Sequence, residues 1–154
     1  MSVSDDSSGD TVSPSRNPRL AIGVDSIEIA RVAASVTRYG ERFLGRVFTA
    51  AERARTGAHP RALAGRFAAK EATAKALGTG VGPVGWRNIE VRNDAAGKPY
   101  VVLHAAAATR ARSLGLLEWH LSITHNRDVA TAFVVAYRAE TPHKTSKEHY
   151  LCAL

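Results

Sequence analysis

Glu71 and Lys75 stand four positions apart in Arg66-Phe67-Ala68-Ala69-Lys70-Glu71-Ala72-Thr73-Ala74-Lys75-Ala76-Leu77-Gly78-Thr79-Gly80, a run of strong helix formers that stops at glycine. On a helix, residues four apart share one face about 6 Å apart along the axis, so a carboxylate and an ammonium there can address one ligand. That pairing suits phosphate and metal. A Glu followed by Lys at this spacing is also a common surface ion pair contributing only a few tenths of a kcal/mol, and the pair alone does not choose between the two. A second carboxylate, Asp25, stands at the end of an apolar run. Two carboxylates from separate points of the chain are a sparse ligand set, which suits Mg²⁺: that ion takes one or two carboxylates plus substrate phosphates and keeps several waters. The histidines form no HxxxH cluster, and a single cysteine, Cys152, leaves zinc unsupported.

The glycines fall on an informative side of the helix. Gly78-Thr79-Gly80 follows it, whereas dinucleotide-binding and P-loop glycines precede a helix and use its N-terminal dipole to hold phosphate. A phosphate near this loop would therefore depend on free amides, Lys75 and a metal ion.

The elements that must position these groups follow from periodicity. Leu20, Ile22 and Val24 alternate with small residues up to Asp25, as in a buried strand. Ser26 offers an N-cap for a helix over Ile27 to Val36 with Glu28 in its first turn, which would put Asp25 at a strand-to-helix junction. Thr49 and Glu52 have capping-box spacing for a short helix that ends between Gly57 and Pro60. A longer helix runs from about Arg61 to Leu77 and closes at Gly78 as a C-cap. Trp86 to Arg92 and Tyr100 to Leu103 read as a hairpin around Asn93 to Pro99, Ala105 to Leu114 as a helix, and Trp119 to His125 with Val129 to Tyr137 as paired strands turning at Asn126-Arg127-Asp128. Helices among hairpin-connected strands predict an α+β fold with an antiparallel sheet packed against helices in a single small domain.

Bulk properties narrow the class. The 154 residues suit one core, and 45% hydrophobic content is ordinary for a globular chain. Residues 1–18 are rich in Ser, Asp, Pro and Gly and predict a disordered N-terminal extension that does not read as a secretory signal. The domain then spans 19–138, and 139–154 form a C-terminal tail in which Tyr150, Leu151 and Leu154 offer docking groups. No run is long enough to cross a membrane, and the lone cysteine fits a reducing cytoplasm. The net charge of +7, with Arg31, Arg38, Arg42, Arg46, Arg53 and Arg55 opposed only by Glu41 and Glu52 over 31–55, favours an acidic partner. Nucleic acid, an acidic protein and a polyphosphate-bearing small molecule all qualify, as does a merely solvated Arg-rich face.

Gly23-Val24-Asp25, then Arg42-Phe43, then Leu63 to Ala72 with Lys75 to Gly80, then Gly97-Lys98-Pro99, then Leu121-Ser122-Ile123-Thr124-His125 carry a resemblance over about 20–137. In order and spacing they resemble the holo-[acyl-carrier-protein] synthase family, the small-type 4′-phosphopantetheinyl transferases. The resemblance implies that family's fold and the transfer of 4′-phosphopantetheine from coenzyme A to a serine of an apo acyl carrier protein, or of a carrier domain of a fatty acid synthase, releasing 3′,5′-ADP. It further implies Mg²⁺, a role in fatty acid biosynthesis, and a homotrimer with active sites between subunits. Asp25 and Glu71 match the family's metal ligands. Glu71 or a metal-bound water would serve as base, and Lys75 would meet the departing phosphate. Arg66, Gly78, Thr79, Gly80, Thr124 and His125 would join Lys75 in contacting coenzyme A, while Arg31, Arg38 and Arg42 would dock the acidic carrier helix. Larger superfamily members carry a second acid two residues after the first; Ile27 stands there, so water or Glu28 must substitute, with water favoured because Glu28 belongs to the first turn of the expected helix.

Two other classes compete. A basic nucleic-acid-binding module would interleave aromatics with its cations, yet residues 31–55 contain only Tyr39, Phe43 and Phe48. A non-catalytic coenzyme A- or carrier-binding subunit would not need Asp25, Glu71 and Lys75 together. With the transferase, the expectation is neither a nucleic-acid nor a membrane partner.

Overall fold

Alternation of apolar and small residues makes the first strand, β1 (Leu20–Glu28), whose odd-numbered positions face the protein interior. The computed structural model describes residues 19–138, so the expectations for 1–18 and 139–154 lie outside the described residues. After β1 come α1 (Ile29–Val47), α2 (Ala50–Thr56), α3 (Pro60–Ala76) and the short α4 (Val81–Val84). A 3₁₀ turn at Trp86–Asn88 leads to β2 (Ile89–Asn93), β3 (Pro99–Leu103), α5 (Ala105–Leu114), β4 (Glu118–His125) and β5 (Val129–Tyr137). One antiparallel sheet has the order β1-β5-β4, and β2 pairs with β3 in a separate hairpin. This is the α+β architecture the hairpin signals predicted.

Several boundaries differ from the sequence reading, the largest being the end of α1, which runs past the expected Val36 to Val47. The helix expected at Ile27 starts at Ile29, and Ser26 is a strand residue rather than a cap, because β1 stays paired with β5 through Glu28 opposite Val129. The Ser26 hydroxyl shares a 2.7 Å hydrogen bond with that of Thr131. Asp25 thus lies within the strand and faces α3 instead of sitting at a junction. Gly78 is not the cap itself but the residue after it: Leu77 caps α3, and Gly78 takes the left-handed conformation (φ 69°) beyond it. Trp86 belongs to the 3₁₀ turn, so the hairpin strand begins at Ile89.

α3 is buried nearly all round, which explains its alanines. Small residues let it lie directly on the sheet. Ala68, Ala69, Ala72 and Ala76 belong with Ala21, Ala132 and Ala136 to one core cluster. At Gly23 the approach is backbone to backbone, since a Cβ there would stand 1.9 Å from the Ala72 carbonyl oxygen. Glycine is therefore required beside Asp25 for steric reasons.

A buried ion pair ties this helix to the rest. Lys70 and Glu52 are both fully enclosed, with Lys70 Nζ 2.8 Å from Glu52 Oε2. The ammonium also donates to the carbonyls of Trp86, at 3.0 Å, and Ile89. Glu52 Oε2 accepts the Thr49 amide at 2.8 Å, closing the predicted capping box of α2, and Oε1 accepts the Val91 amide at 2.9 Å. Every donor of the ammonium is satisfied, as burial demands. Burial lowers the Lys70 pKa, with the Glu52 charge opposing that shift. Lys70→Met leaves the Glu52 carboxylate buried without its cation and should destabilise the fold by about 3–5 kcal/mol in chemical denaturation, whereas Lys70→Met with Glu52→Leu should recover part of the loss.

Candidate functional site

The close contact at Gly23 carries Asp25 against the second half of α3. Lys75 Nζ reaches back to Asp25 Oδ1 at 2.9 Å and to the Val24 carbonyl at 2.9 Å. The simple Glu71–Lys75 ion pair is therefore not formed: the lysine has chosen the strand. Glu71 remains near both groups. Its pKa is raised, chiefly by burial and then by the Asp25 charge, with Lys75 partly opposing. Two carboxylates thus press on each other with one half-exposed ammonium between them, a site short of positive charge.

That imbalance bears on the magnesium ion implied by the family resemblance. Among the described residues no group of three or more His, Cys, Asp or Glu side chains converges. Asp25 and Glu71 offer only part of an octahedral shell, and a mutually repelling pair of hard oxygen donors fits an ion that completes its shell with water and phosphate oxygens. The residues present fit the group.

The glycine loop works differently from the sequence reading. Its amides were expected to be free for phosphate, but Gly78 N–H donates to the Lys75 carbonyl at 2.9 Å and Thr79 N–H to that of Ala74 at 3.0 Å, a Schellman closure of α3. Arg110 Nε then donates to the Leu77 carbonyl at 3.1 Å, setting a cation at the negative end of the helix. Gly78 and Gly80 stay exposed, and the loop's role is to end α3 one turn beyond Glu71 and hold Lys75 in place.

The remaining predicted contacts do not join this group. Arg66 lies four residues before Lys70 and shares its side of α3, where Arg66 Nη2 donates to Asn93 Oδ1 at 3.0 Å. There it lines a cavity of about 180 Å³ with Ala51, Arg55, Val91, Arg92 and Asn93. Its Nε is buried without a partner, behind a pocket walled by three arginines. Burial lowers the Arg66 pKa, Glu52 opposes, and nearby Arg55 lowers it further. Thr124 pairs with Thr131 and through it with Ser26, on the open face of the sheet opposite Asp25. His125, at the end of β4, pairs with Ala130 and is exposed on the α3 side.

Arg31, Arg38 and Arg42 are all exposed on α1, and among the described residues none of them forms an ion pair. α1 is broken at Gly40 (φ 48°, ψ −129°), a conformation open to glycine, so Arg31 and Arg38 lie on one helical piece and Arg42 on the next. Beside the second piece opens a cavity of about 400 Å³ lined by Tyr39, Arg42, Phe43, Arg46, Val47, Phe67 and Trp86. Sequence reasoning missed this cavity and the Arg55–Arg92–Asn93 wall. The resemblance named Arg42-Phe43, but only the Phe67–Trp86 ring contact (centroids 4.6 Å apart) shows that α3 supplies the opposite side.

Comparison with known proteins shows the family of the chain. Residues 21–137 match the family described as the 4′-phosphopantetheinyl transferase superfamily. The holo-[acyl-carrier-protein] synthase of Herpetosiphon aurantiacus is 50% identical over an alignment of 123 residues that covers 75% of this chain and 97% of that one. That of Solidesulfovibrio magneticus is 49% identical over 116 residues, 74% of this chain and 94% of the relative. Among solved structures, the Neisseria meningitidis holo-[acyl-carrier-protein] synthase superposes with a TM-score of 0.71 at 37% identity, covering 77% of this chain and 98% of that chain. The Helicobacter pylori enzyme in complex with coenzyme A gives 0.69 at 29% identity, covering 75% and 98%.

The charge imbalance has a stability consequence. A carboxyl whose folded pKa is raised opposes folding while ionised, and the opposition fades as pH falls through that raised value. In metal-free protein, Glu71→Gln should therefore raise the Tm at pH 7 by roughly 1–4 °C. The gain should fade as the pH is lowered through the Glu71 titration; a Tm difference that is flat with pH would argue against Glu71 as the strained group.

Proposed function

Because the chain belongs to the 4′-phosphopantetheinyl transferase superfamily, we propose that it is a holo-[acyl-carrier-protein] synthase that transfers 4′-phosphopantetheine from coenzyme A to a serine of an apo acyl carrier protein. The observation that carries the reading is the meeting of Asp25, Glu71 and Lys75 at the closest approach of β1 to α3. The serine oxygen attacks the phosphorus that bears pantetheine, the P–O bond to the adenosine-side phosphate breaks, and 3′,5′-ADP leaves with the bond's electron pair. Mg²⁺ held by Asp25 and Glu71 would supply charge stabilisation to the diphosphate. Glu71, raised by burial and by Asp25, suits the acceptance of the serine proton. Lys75 neutralises the charge that accumulates on the departing phosphate. Few side chains suffice, because phosphoryl transfer depends on positioning and charge.

The other end of coenzyme A is assigned to the arginine pocket at Arg66, Arg55 and Arg92, whose donors suit a phosphate monoester. Since Arg66 faces away from Glu71 and Thr124 lies on the opposite sheet face, one chain does not gather all these contacts around one ligand. The open sheet face is apolar as well, with Leu20, Ile22, Val24 and Phe133 exposed by 57%, 61%, 53% and 47%. An apolar face of this kind marks an interface. Both features support a homotrimer with sites shared between subunits. The Arg31–Arg38–Arg42 surface and the cavity beside Phe43 suit an acidic carrier helix that presents an apolar side chain. Among the described residues no helix is long and apolar enough to cross a membrane; a cytoplasmic enzyme serving fatty acid biosynthesis fits the proposed substrates.

Incubation with coenzyme A, Mg²⁺ and an apo carrier should add the mass of phosphopantetheine to the carrier and release 3′,5′-ADP, and no gain across several carriers would sink the transferase reading. Glu71→Gln should fold yet lose about 10²–10⁴ in turnover. Arg38→Glu should slow carrier association, with little effect on coenzyme A affinity, and the difference from wild type should shrink as salt rises. Light scattering should give three times the chain mass.

A further inference from the structure

Glu90 is a buried carboxylate, 3% exposed, that the reaction does not use. Its Oε1 accepts the Thr49 hydroxyl at 3.0 Å, and its Oε2 accepts Arg92 Nη2 at 2.9 Å and stands 2.8 Å from His104 Nε2. Burial alone would raise its pKa, but donors from His104, Arg92 and Thr49 and the Arg92 charge lower it overall. These partners have little need of Glu90 for their own solvation. The Arg92 and His104 side chains are 48% and 43% exposed, and the Thr49 hydroxyl already accepts the Glu52 amide in the capping box. A buried charge at this position is costly unless fully hydrogen-bonded, so an apolar side chain would secure the hairpin at less expense. What the carboxylate does supply is a fixed direction for a guanidinium that water would otherwise leave free.

That guanidinium belongs to the arginine pocket. Arg92 lines it with Arg66, whose Nε is unpartnered, and with Arg55, which the last turn of α2 carries. Three like charges around one small cavity repel one another, and a negative group behind the wall offsets part of that repulsion. Glu90 also bonds both elements concerned: Oε2 holds Arg92 on its own strand β2, and Oε1 holds Thr49, the cap of α2.

We propose that Glu90 is the positioning residue of the arginine pocket: it fixes Arg92 at the wall through Oε2 and ties β2 to the α2 cap through Oε1, so that a phosphate monoester meets a preset group of donors. The inference rests on reading the pocket as the phosphate subsite for coenzyme A. His104 is the second donor on Oε2 and keeps the carboxylate from swinging toward the anion.

The test uses the full chain and its Glu90→Gln, Arg92→Ala, Arg66→Ala and Glu90→Gln/Arg92→Ala variants, titrated with 3′,5′-ADP by calorimetry and assayed for kcat and KM with coenzyme A. Glu90→Gln should weaken 3′,5′-ADP about tenfold and raise KM in step, with kcat within about twofold, and should add nothing further to Arg92→Ala. Additive losses in the double variant overturn the positioning role, as does unchanged affinity in Glu90→Gln while Arg92→Ala weakens binding; either leaves the subsite standing. Unchanged affinity in both Arg92→Ala and Arg66→Ala removes the subsite and the inference together. Should Glu90→Gln fail to fold, Glu90→Asp, which keeps the buried charge but withdraws it by one methylene, is read against the same two outcomes.

Discussion

The enclosed pair of Lys70 and Glu52 is the constraint on which the rest of the structure depends. An ammonium taken out of water must find acceptors for all its protons, and here the acceptors come from three elements: the Glu52 carboxylate on α2, the Trp86 carbonyl in the 3₁₀ turn and the Ile89 carbonyl at the head of β2. Hydrophobic packing alone would let an alanine-rich helix rotate or slide with little change in buried area. A charge that is satisfied in one position forbids both motions.

The fixed rotation then reaches the chemistry through helical geometry. Glu71 follows Lys70 by about 100° around the axis, so turning Lys70 inward to β2 directs Glu71 to the rim, and Lys75 emerges beyond it toward β1. The strand comes to meet them because Gly23 has no side chain to hold it off. Asp25, two residues on, faces the same way. Two carboxylates that repel each other are thus brought together by contacts made elsewhere on the two segments, and the strain falls on Glu71. Site and scaffold are built from alternating residues of the same two segments.

Much of this was legible in the sequence where the signals are local. The Thr49–Glu52 capping box, the α5 boundaries, the β4–β5 hairpin and the glycine beyond α3 all rest on interactions within a few residues, and the structure has them. The start of α1 was not legible. Ile27-Glu28-Ile29 satisfies a helix start as well as a strand end, and the decision was made by pairing with β5, a hundred residues later in the chain. The burial of Lys70 was equally hidden, because a lysine inside an alanine-rich helix reads as solvated unless Glu52 and two distant carbonyls are known to converge on it. Of the amides expected to be free after α3, those of Gly78 and Thr79 are taken for a related reason: the helix end uses them itself.

Arg66 shows how far a single constraint carries. It lies one turn before Lys70 and so shares the face that the buried pair commits to β2, which is why it bonds Asn93 and cannot turn to the Asp25–Glu71–Lys75 side of its own helix. Thr124 is separated in another way, by the alternation of β4 that puts it on the open sheet face with Val24 and Phe133. Lys75 and Arg66 of one chain therefore open to different sides of α3. The interaction that makes α3 rigid thus also divides the polar residues of that helix, sending Arg66 toward β2 and Lys75 toward β1.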